Sequence, residues 1–126
     1  MLRDISNLRK SYSQNSLEEI NLPSNPFSLF DNWFKEVKSS NSKSEINAMT
    51  LSTIDLHGYP NARIVLLKFF SNEGFIFFTN YNSNKSISIE KNNKVSISFF
   101  KPEKVLIAST AIFDKSDKIL FLLTII

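Results

Sequence analysis

Two cationic residues border an apolar segment of the chain, and both have side chains that commonly bind phosphate. Arg63 and Lys68 flank the run Ile64-Val65-Leu66-Leu67. A strand rises about 3.3 Å per residue, so their Cα atoms would lie about 16 Å apart, the length of an extended mononucleotide. Arginine would hold the phosphate as a fork and lysine would reach the far end of the ligand. A regular strand points these positions to opposite faces, so one shared ligand requires a bulge, a strong twist or a strand end. The alternative is that both charges simply reach solvent.

The other candidates for chemistry are few. Lys85 follows Ser83, which suits the N-cap of a short helix over residues 83–92. A lysine there would add to an anion site at the helix start, or would be an ordinary solvated lysine. His57 is the only histidine and lies in a predicted turn, and there is no cysteine. Thiol catalysis and a metal site with several histidines are therefore excluded. We assign no catalytic side chain, and enzyme chemistry would come from a bound cofactor.

Length and composition limit the class of protein. The chain has 126 residues and a mass of 14.5 kDa, which fits one domain or a piece of one. The net charge of +3 favours anionic partners only mildly, and no basic run is long enough to predict nucleic-acid binding. The first residues lack the apolar centre of a targeting signal, and the longest apolar run, residues 119–126, is shorter than the about 20 residues that span a membrane. We therefore expect a cytoplasmic protein.

Helical signals occur at three places. Leu2, Ile5 and Leu8 have the spacing of a short amphipathic helix. Asn25 followed by Pro26 predicts the start of a second helix. Its apolar stripe is formed by Phe27, Phe30, Phe34 and Val37, widened by Trp33. Residues 115–126 could form another helix, although residues 119–123 are apolar on every face.

The strand signals predict a mainly β protein. Residues 48–55, 62–70 and 75–79 alternate or run apolar between turns, which predicts an antiparallel meander. Residues 94–100 and 105–113 predict two further strands. Five short strands with interposed helices indicate an α+β fold, a small barrel-like sheet with helices packed outside.

The ordered series of motifs resembles the pyridoxamine 5'-phosphate oxidase family. The resemblance runs from about residue 7 to about residue 100 and rests on several segments. These are Leu8-Arg9-Lys10-Ser11-Tyr12, Leu22-Pro23-Ser24-Asn25-Pro26, the strand residues 47–55, the turn with Gly58 and Pro60, Ala62-Arg63-Ile64-Val65-Leu66-Leu67-Lys68, and Gly74-Phe75-Ile76-Phe77-Phe78-Thr79-Asn80-Tyr81 with Ser83 and Lys85.

The resemblance implies an FMN-binding split barrel that works as a homodimer. It implies oxidation of pyridoxamine or pyridoxine 5'-phosphate to pyridoxal 5'-phosphate with O₂ as acceptor. By position, the implied FMN-binding residues are Arg63, Ile64, Val65, Leu66, Leu67, Lys68, Phe78, Thr79 and Lys85. The implied substrate-binding residues are Lys68 and an N-terminal flap of Arg9, Lys10, Ser11 and Tyr12.

The chain departs from the family pattern at three places. Asn84 stands where the family has an arginine that would contact phosphate, the segment after Phe100 is shorter and lacks a glutamine, and the family's C-terminal portion is absent. We therefore expect residues 1–24 to form an N-terminal helix and flap, and residues 25–126 to form an incomplete split barrel. A flavin-binding module or a decayed gene product, both without oxidase activity, stay open as alternatives. We also expect an open barrel edge and an aggregation-prone tail, so that deleting residues 119–126 would improve solubility.

Overall fold

The structure, a computed structural model, describes residues 2–8, 22–40, 43, 45–101, 104–114 and 118–122, and beyond residue 99 it describes the backbone. Two α-helices and six strands occur in these ranges. The helices are α1 (Pro26–Ser39) and α2 (Asn84–Lys91). The strands are β1 (Ala48–Ile54), β2 (Pro60–Ser71), β3 (Gly74–Phe77), β4 (Lys94–Lys101), β5 (Lys104–Asp114) and β6 (Lys118–Leu122).

Helix α1 begins where the sequence predicts. The side chain of Asn25 accepts a hydrogen bond of 2.9 Å from the backbone N–H of Phe27, and Pro26 occupies the first helical position. Proline suits this position because its missing N–H would have no partner within the helix. Leu29 and Phe30 are buried on the face that packs on the sheet.

The six strands pair in the order β1-β2-β3-β6-β5-β4, and β4 pairs back with β1 to close a barrel. Every pair is antiparallel, and the predicted meander β1-β2-β3 is confirmed. Strand β6 lies between β5 and β3, where it pairs with β5 over five residues but with β3 only through Phe75 and Ile119. The mainly β fold with flanking helices is therefore confirmed.

The end of the described chain corrects two expectations. Residues 118–122 form a strand and not a helix, and this strand occupies the barrel edge that was expected to be open. A short run that is apolar on every face shows no hydrophobic periodicity, so its sequence does not distinguish a helix from a strand. Here the edges of β3 and β5 supply partners for an extended backbone, so the strand is formed.

The core is the barrel interior, closed at one end by α1. Alternate residues of β1, β2, β3 and β4 point inward, and Phe30 of α1 lies among their rings. The ring centroid of Phe30 is 4.8 Å from that of Phe75, 5.0 Å from that of Phe70 and 5.1 Å from that of Phe99. Phe70 lies near the C-terminal end of β2, so α1 covers the end of the barrel where β2 ends.

The N-terminal helix predicted from Leu2, Ile5 and Leu8 is wrong. Within the described residues 2–8 the structure has a single 3₁₀ turn at Ser6–Leu8, and the three apolar side chains are exposed. Asp4 accepts a hydrogen bond from the Ser6 N–H at 2.9 Å and so fixes the start of this turn. An amphipathic helix needs a surface to cover, and these side chains do not meet one.

The turn between β1 and β2 is organised by Asp55. One carboxylate oxygen of Asp55 accepts from the backbone N–H groups of His57 and Tyr59, and the other accepts from the Asn61 amide. The hydrogen bond from the Tyr59 N–H is the main reason that the pKa of the Asp55 carboxyl lies below its ordinary value. Gly58 completes the turn with φ of +87°, a conformation that glycine adopts without a steric penalty. His57 is exposed in this turn, as the sequence predicts.

In the part of the chain that the structure describes, no helix is both long enough and apolar enough to cross a membrane.

Candidate functional site

The two cations of β2 lie on opposite faces of the strand. β2 pairs with β1 in unbroken register from Pro60 to Leu66, and Val65 and Leu67 are buried in the core. Arg63 shares their face, whereas Lys68 is exposed. A register shift between Leu67 and Phe69 marks a bulge, which is one of the three features that could bring both cations to a shared ligand. The bulge comes at Lys68 itself and leaves both Lys68 and Phe69 exposed, so it does not turn Lys68 towards Arg63.

Asn47 holds β2 in place just before this bulge. Its backbone carbonyl accepts from the Leu67 N–H at 2.8 Å, and its side-chain amide donates to the Leu67 carbonyl at 2.9 Å. Both backbone groups of Leu67 are thereby satisfied before the register changes. The two Asn47–Leu67 hydrogen bonds and the bulge together set the direction in which Lys68, the next residue, points.

Arg63 lies on the inner face of the barrel, away from α1. It pairs with Leu51 across the β1–β2 ladder, and it stands seven positions before Phe70 on β2. At about 3.3 Å per residue this is a separation of about 23 Å along the strand. Its Nη1 donates to Thr53 Oγ1 at 2.6 Å and to the Leu51 carbonyl at 3.4 Å. The side chain is half-buried, so solvent still reaches part of it.

The outer face of β2 and the end of β3 expose apolar side chains around Lys68. Ile64 is 66% exposed, Phe69 60% and Phe78 68%, and the rings of Phe69 and Phe78 lie 6.2 Å apart. Leu66 is half-buried on the same face. Lys68 therefore stands beside a surface that is apolar and aromatic.

A group of hydroxyls surrounds the start of α2. Ser83 is the N-cap, as predicted, and its Oγ accepts from the Ser86 N–H at 3.4 Å. The Ser83 hydroxyl also lies 3.5 Å from Thr79 Oγ1 and 3.1 Å from Ser86 Oγ. Lys85 is half-buried in the first turn of the helix. Thr79 and Lys85 are thus brought near the same helix start, and Ser86 is a member of the group that the sequence did not indicate.

The predicted site residues therefore divide into several environments. The side chains of Val65 and Leu67 belong to the core, so only their backbone could face a ligand. Arg63 is on the inner face, Ile64, Lys68 and Phe78 are exposed, and Thr79 and Lys85 lie at the start of α2. The predicted flap of Arg9, Lys10, Ser11 and Tyr12 lies outside the described residues.

Sequence reasoning missed Thr53. This threonine is the last buried position of β1, and it lies on the same face as Met49 and Leu51. The available signal was a polar residue at an inward position of an alternating strand. A buried hydroxyl needs a hydrogen-bond partner, and Arg63 supplies one.

The charges of the site match an anion. Arg63, Lys68 and Lys85 are cations, and within the described residues none of them forms an ion pair. Within those ranges no group of three or more histidine, cysteine, aspartate or glutamate side chains is placed to hold a metal ion. A guanidinium, two ammonium groups and the hydroxyl of Thr79 are donors that suit a phosphate ester.

Comparison with known proteins agrees with this chemistry. A family model described as pyridoxamine 5'-phosphate oxidase matches residues 36–118. The pyridoxine/pyridoxamine 5'-phosphate oxidase of Flavobacterium johnsoniae is 54% identical over 102 residues, which are 81% of this chain and 48% of the relative. The pyridoxine-5'-phosphate oxidase of Dictyostelium discoideum is 42% identical over 101 residues, 79% of this chain and 44% of the relative. The chain thus spans about half the length of these curated relatives.

Two solved structures share the fold. PhzG from Burkholderia lata, in complex with tetrahydrophenazine-1-carboxylic acid, has a TM-score of 0.69 at 21% identity and covers 84% of this chain and 55% of its own. A pyridoxamine 5'-phosphate oxidase-related, FMN binding protein from Nostoc punctiforme has a TM-score of 0.60 at 16% identity, covering 74% of this chain and 48% of its own. At these identities the likeness concerns the fold.

Proposed function

The chain belongs to the pyridoxamine 5'-phosphate oxidase family, and from this premise we propose that it binds FMN and takes part in the oxidation of pyridoxamine or pyridoxine 5'-phosphate to pyridoxal 5'-phosphate, with O₂ as acceptor. The structural observation that carries the proposal is Arg63, a half-buried guanidinium held at the barrel's inner face by neutral acceptors. Bound FMN would supply the redox chemistry.

Because Arg63 and Lys68 lie on opposite faces of β2, we propose that they contact different parts of the bound molecules. Arg63 would bind the FMN phosphate, because a guanidinium fork matches phosphate oxygens. Lys68 would contact the flavin or the substrate from the outer face, beside exposed Phe69 and Phe78. Thr79 and Lys85 would add a hydroxyl and a charge at the start of α2. Residues 9–12 would form the substrate flap.

The exposed outer face supports the homodimer that we propose with this function. Ile64, Phe69 and Phe78 are exposed apolar side chains, and the rings of Phe69 and Phe78 lie 6.2 Å apart. Large exposed apolar patches commonly mark a surface that binds another protein chain. A second copy of the chain would remove these side chains from water and would shield a ligand beside Lys68. Exclusion of water strengthens charge interactions inside such a site.

Substitution of Arg63 tests the phosphate assignment. Arg63→Ala is expected to weaken FMN binding by roughly 1.5–3 kcal/mol, the usual contribution of a hydrogen bond to a charged group. The measurement is titration of the full chain with FMN, followed by flavin fluorescence. Riboflavin, which lacks the phosphate, should bind both proteins alike. Arg3→Ala is the matched control, because it removes an exposed arginine outside the site.

A separate assay distinguishes binding from turnover. Hydrogen peroxide formed from pyridoxamine 5'-phosphate in the presence of FMN reports oxidase activity of the chain. FMN binding without peroxide would support the alternative of a flavin-binding module. Unchanged FMN affinity in Arg63→Ala would contradict the role of Arg63 in holding phosphate.

A further inference from the structure

We infer that Thr53 is a positioning residue, which holds the guanidinium of Arg63 in the orientation that receives the phosphate of the flavin nucleotide. This inference rests on the proposed function and extends it to a residue on a different strand. Its basis is the short hydrogen bond of 2.6 Å between Arg63 Nη1 and Thr53 Oγ1.

The ladder between β1 and β2 creates this contact. Arg63 is the Cα partner of Leu51, and Thr53 is the partner of Asn61, so Thr53 and Arg63 are diagonal neighbours on the inner face. Diagonal neighbours lie about 7–8 Å apart at their Cα atoms, which a long side chain can bridge. Thr53 is only 1% exposed and is β-branched, so its hydroxyl has a restricted rotamer and a fixed position.

The neutral character of the acceptor is the central point. Within the described residues, Thr53 and the Leu51 carbonyl are the acceptors that Arg63 contacts, and both contacts use Nη1. Nε and Nη2 are left to form a fork towards a ligand, because a guanidinium has five N–H donors. A carboxylate in place of Thr53 would also orient the side chain, but it would neutralise the charge that attracts a phosphate.

The Thr53 contact is the shorter of the two, and it is the one that a substitution can remove. The contact with the Leu51 carbonyl measures 3.4 Å, near the limit of a hydrogen bond. Arginine has many rotamers, and binding through an unrestrained side chain loses affinity to their ordering. Thr53 would therefore raise the affinity for the phosphate group without touching it.

Two matched pairs of proteins test this inference. Wild type and Thr53→Val differ by a hydroxyl against a methyl, and Thr53→Ser and Thr53→Ala differ by a hydroxyl against a hydrogen. For each full-length protein, the dissociation constants of FMN and riboflavin are measured by fluorescence titration, and folding is checked by circular dichroism. The preference for FMN over riboflavin isolates the phosphate, since the ring system is common to both.

We expect each hydroxyl-free variant to lose about tenfold of its preference for FMN relative to its partner, the loss of one charge-assisted hydrogen bond. Thr53→Ser should retain the preference of wild type. The serine–alanine pair decides the question if Thr53→Val does not fold. When Arg63 is replaced by lysine, Thr53→Val should change the preference for FMN over riboflavin by less than about twofold, because the guanidinium fork that Thr53 orients is gone.

The outcomes separate the two proposals. A wild-type chain that binds FMN no better than riboflavin would overturn both the phosphate site and the role of Thr53. A wild-type preference for FMN that both hydroxyl-free variants keep would overturn the role of Thr53 alone. If Thr53→Val lowers the preference for FMN as much in the Arg63→Lys protein as in wild type, Thr53 does not act through Arg63. That result would also overturn the role of Thr53.

Discussion

Phe30 is the residue through which α1 closes one end of the barrel, and its removal should cost much of the protein's stability. Its side chain is 2% exposed, and its ring contacts those of Phe34, Phe70, Phe75 and Phe99 at centroid distances of 4.8 to 5.9 Å. Truncation of a buried phenylalanine to alanine costs about 3–5 kcal/mol. Because four ring contacts are lost together, we expect Phe30→Ala to fall in the upper half of that range, about 4–5 kcal/mol.

The assay is equilibrium unfolding in urea, followed by the fluorescence of Trp33, which packs against the core cluster. Phe69→Ala is the matched control, because the same atoms are removed from a side chain that is 60% exposed. Among the described side chains the ring of Phe69 contacts that of Phe78 alone, so its truncation should cost about 1 kcal/mol or less. Phe30→Leu keeps most of the buried apolar volume although it loses the ring contacts, so it should cost clearly less stability than Phe30→Ala.

A loss in Phe30→Ala no larger than that in Phe69→Ala would refute the packing of α1 on the barrel end. The same variants test the separation of the core from the site. Arg63 lies towards the other end of β2, so folded Phe30→Leu should keep the wild-type preference for FMN over riboflavin.

Two further predictions concern the β1–β2 turn and the last described strand. The pKa of Asp55 is lowered in the folded protein, so its carboxylate stabilises the fold above about pH 4, and this contribution is lost as the pH falls through the lowered value. The thermal midpoint of Asp55→Asn should therefore lie below that of wild type at pH 6, and the difference between the two proteins should shrink at pH 2.5. An equal difference at both pH values would contradict this. Deleting residues 119–126 should lower the thermal midpoint and increase light scattering, because β3 and β5 would lose their partner. A more soluble deletion variant would restore the expectation drawn from the sequence.

The elements that the sequence predicted well are those with local signals. Asn25 and Pro26 mark the start of α1, and the alternation in β1 identifies its buried positions, because caps and strand periodicity act within a few residues. The strand β6 was missed because its conformation depends on partners far away in the sequence. The N-terminal turn was overpredicted as a helix for the opposite reason, since a local pattern exists there without a packing partner.

The candidate site shows the same division between local and distant information. The parity of Arg63 and Lys68 predicted opposite faces, and the structure places them so. A bulge was one of three ways, with a strong twist and a strand end, in which one shared ligand could be reached, but its position at Lys68 depends on the pairing of β2 with β3. The contact of Thr53 with Arg63 depends on the register between β1 and β2, which periodicity within either strand does not determine.

Arg63 is the strongest sign of function because it breaks the pattern of its own strand. Val65 and Leu67 on the same face are buried apolar residues, and an arginine in that row interrupts the core for no gain in packing. Its recorded acceptors are a hydroxyl and a carbonyl, which orient the charge but do not neutralise it. A partly buried cation that keeps its charge is costly to the folded state unless an anion binds to it. Proteins retain such local conflicts at functional sites, and the phosphate ester that we propose as the ligand of Arg63 would resolve this one.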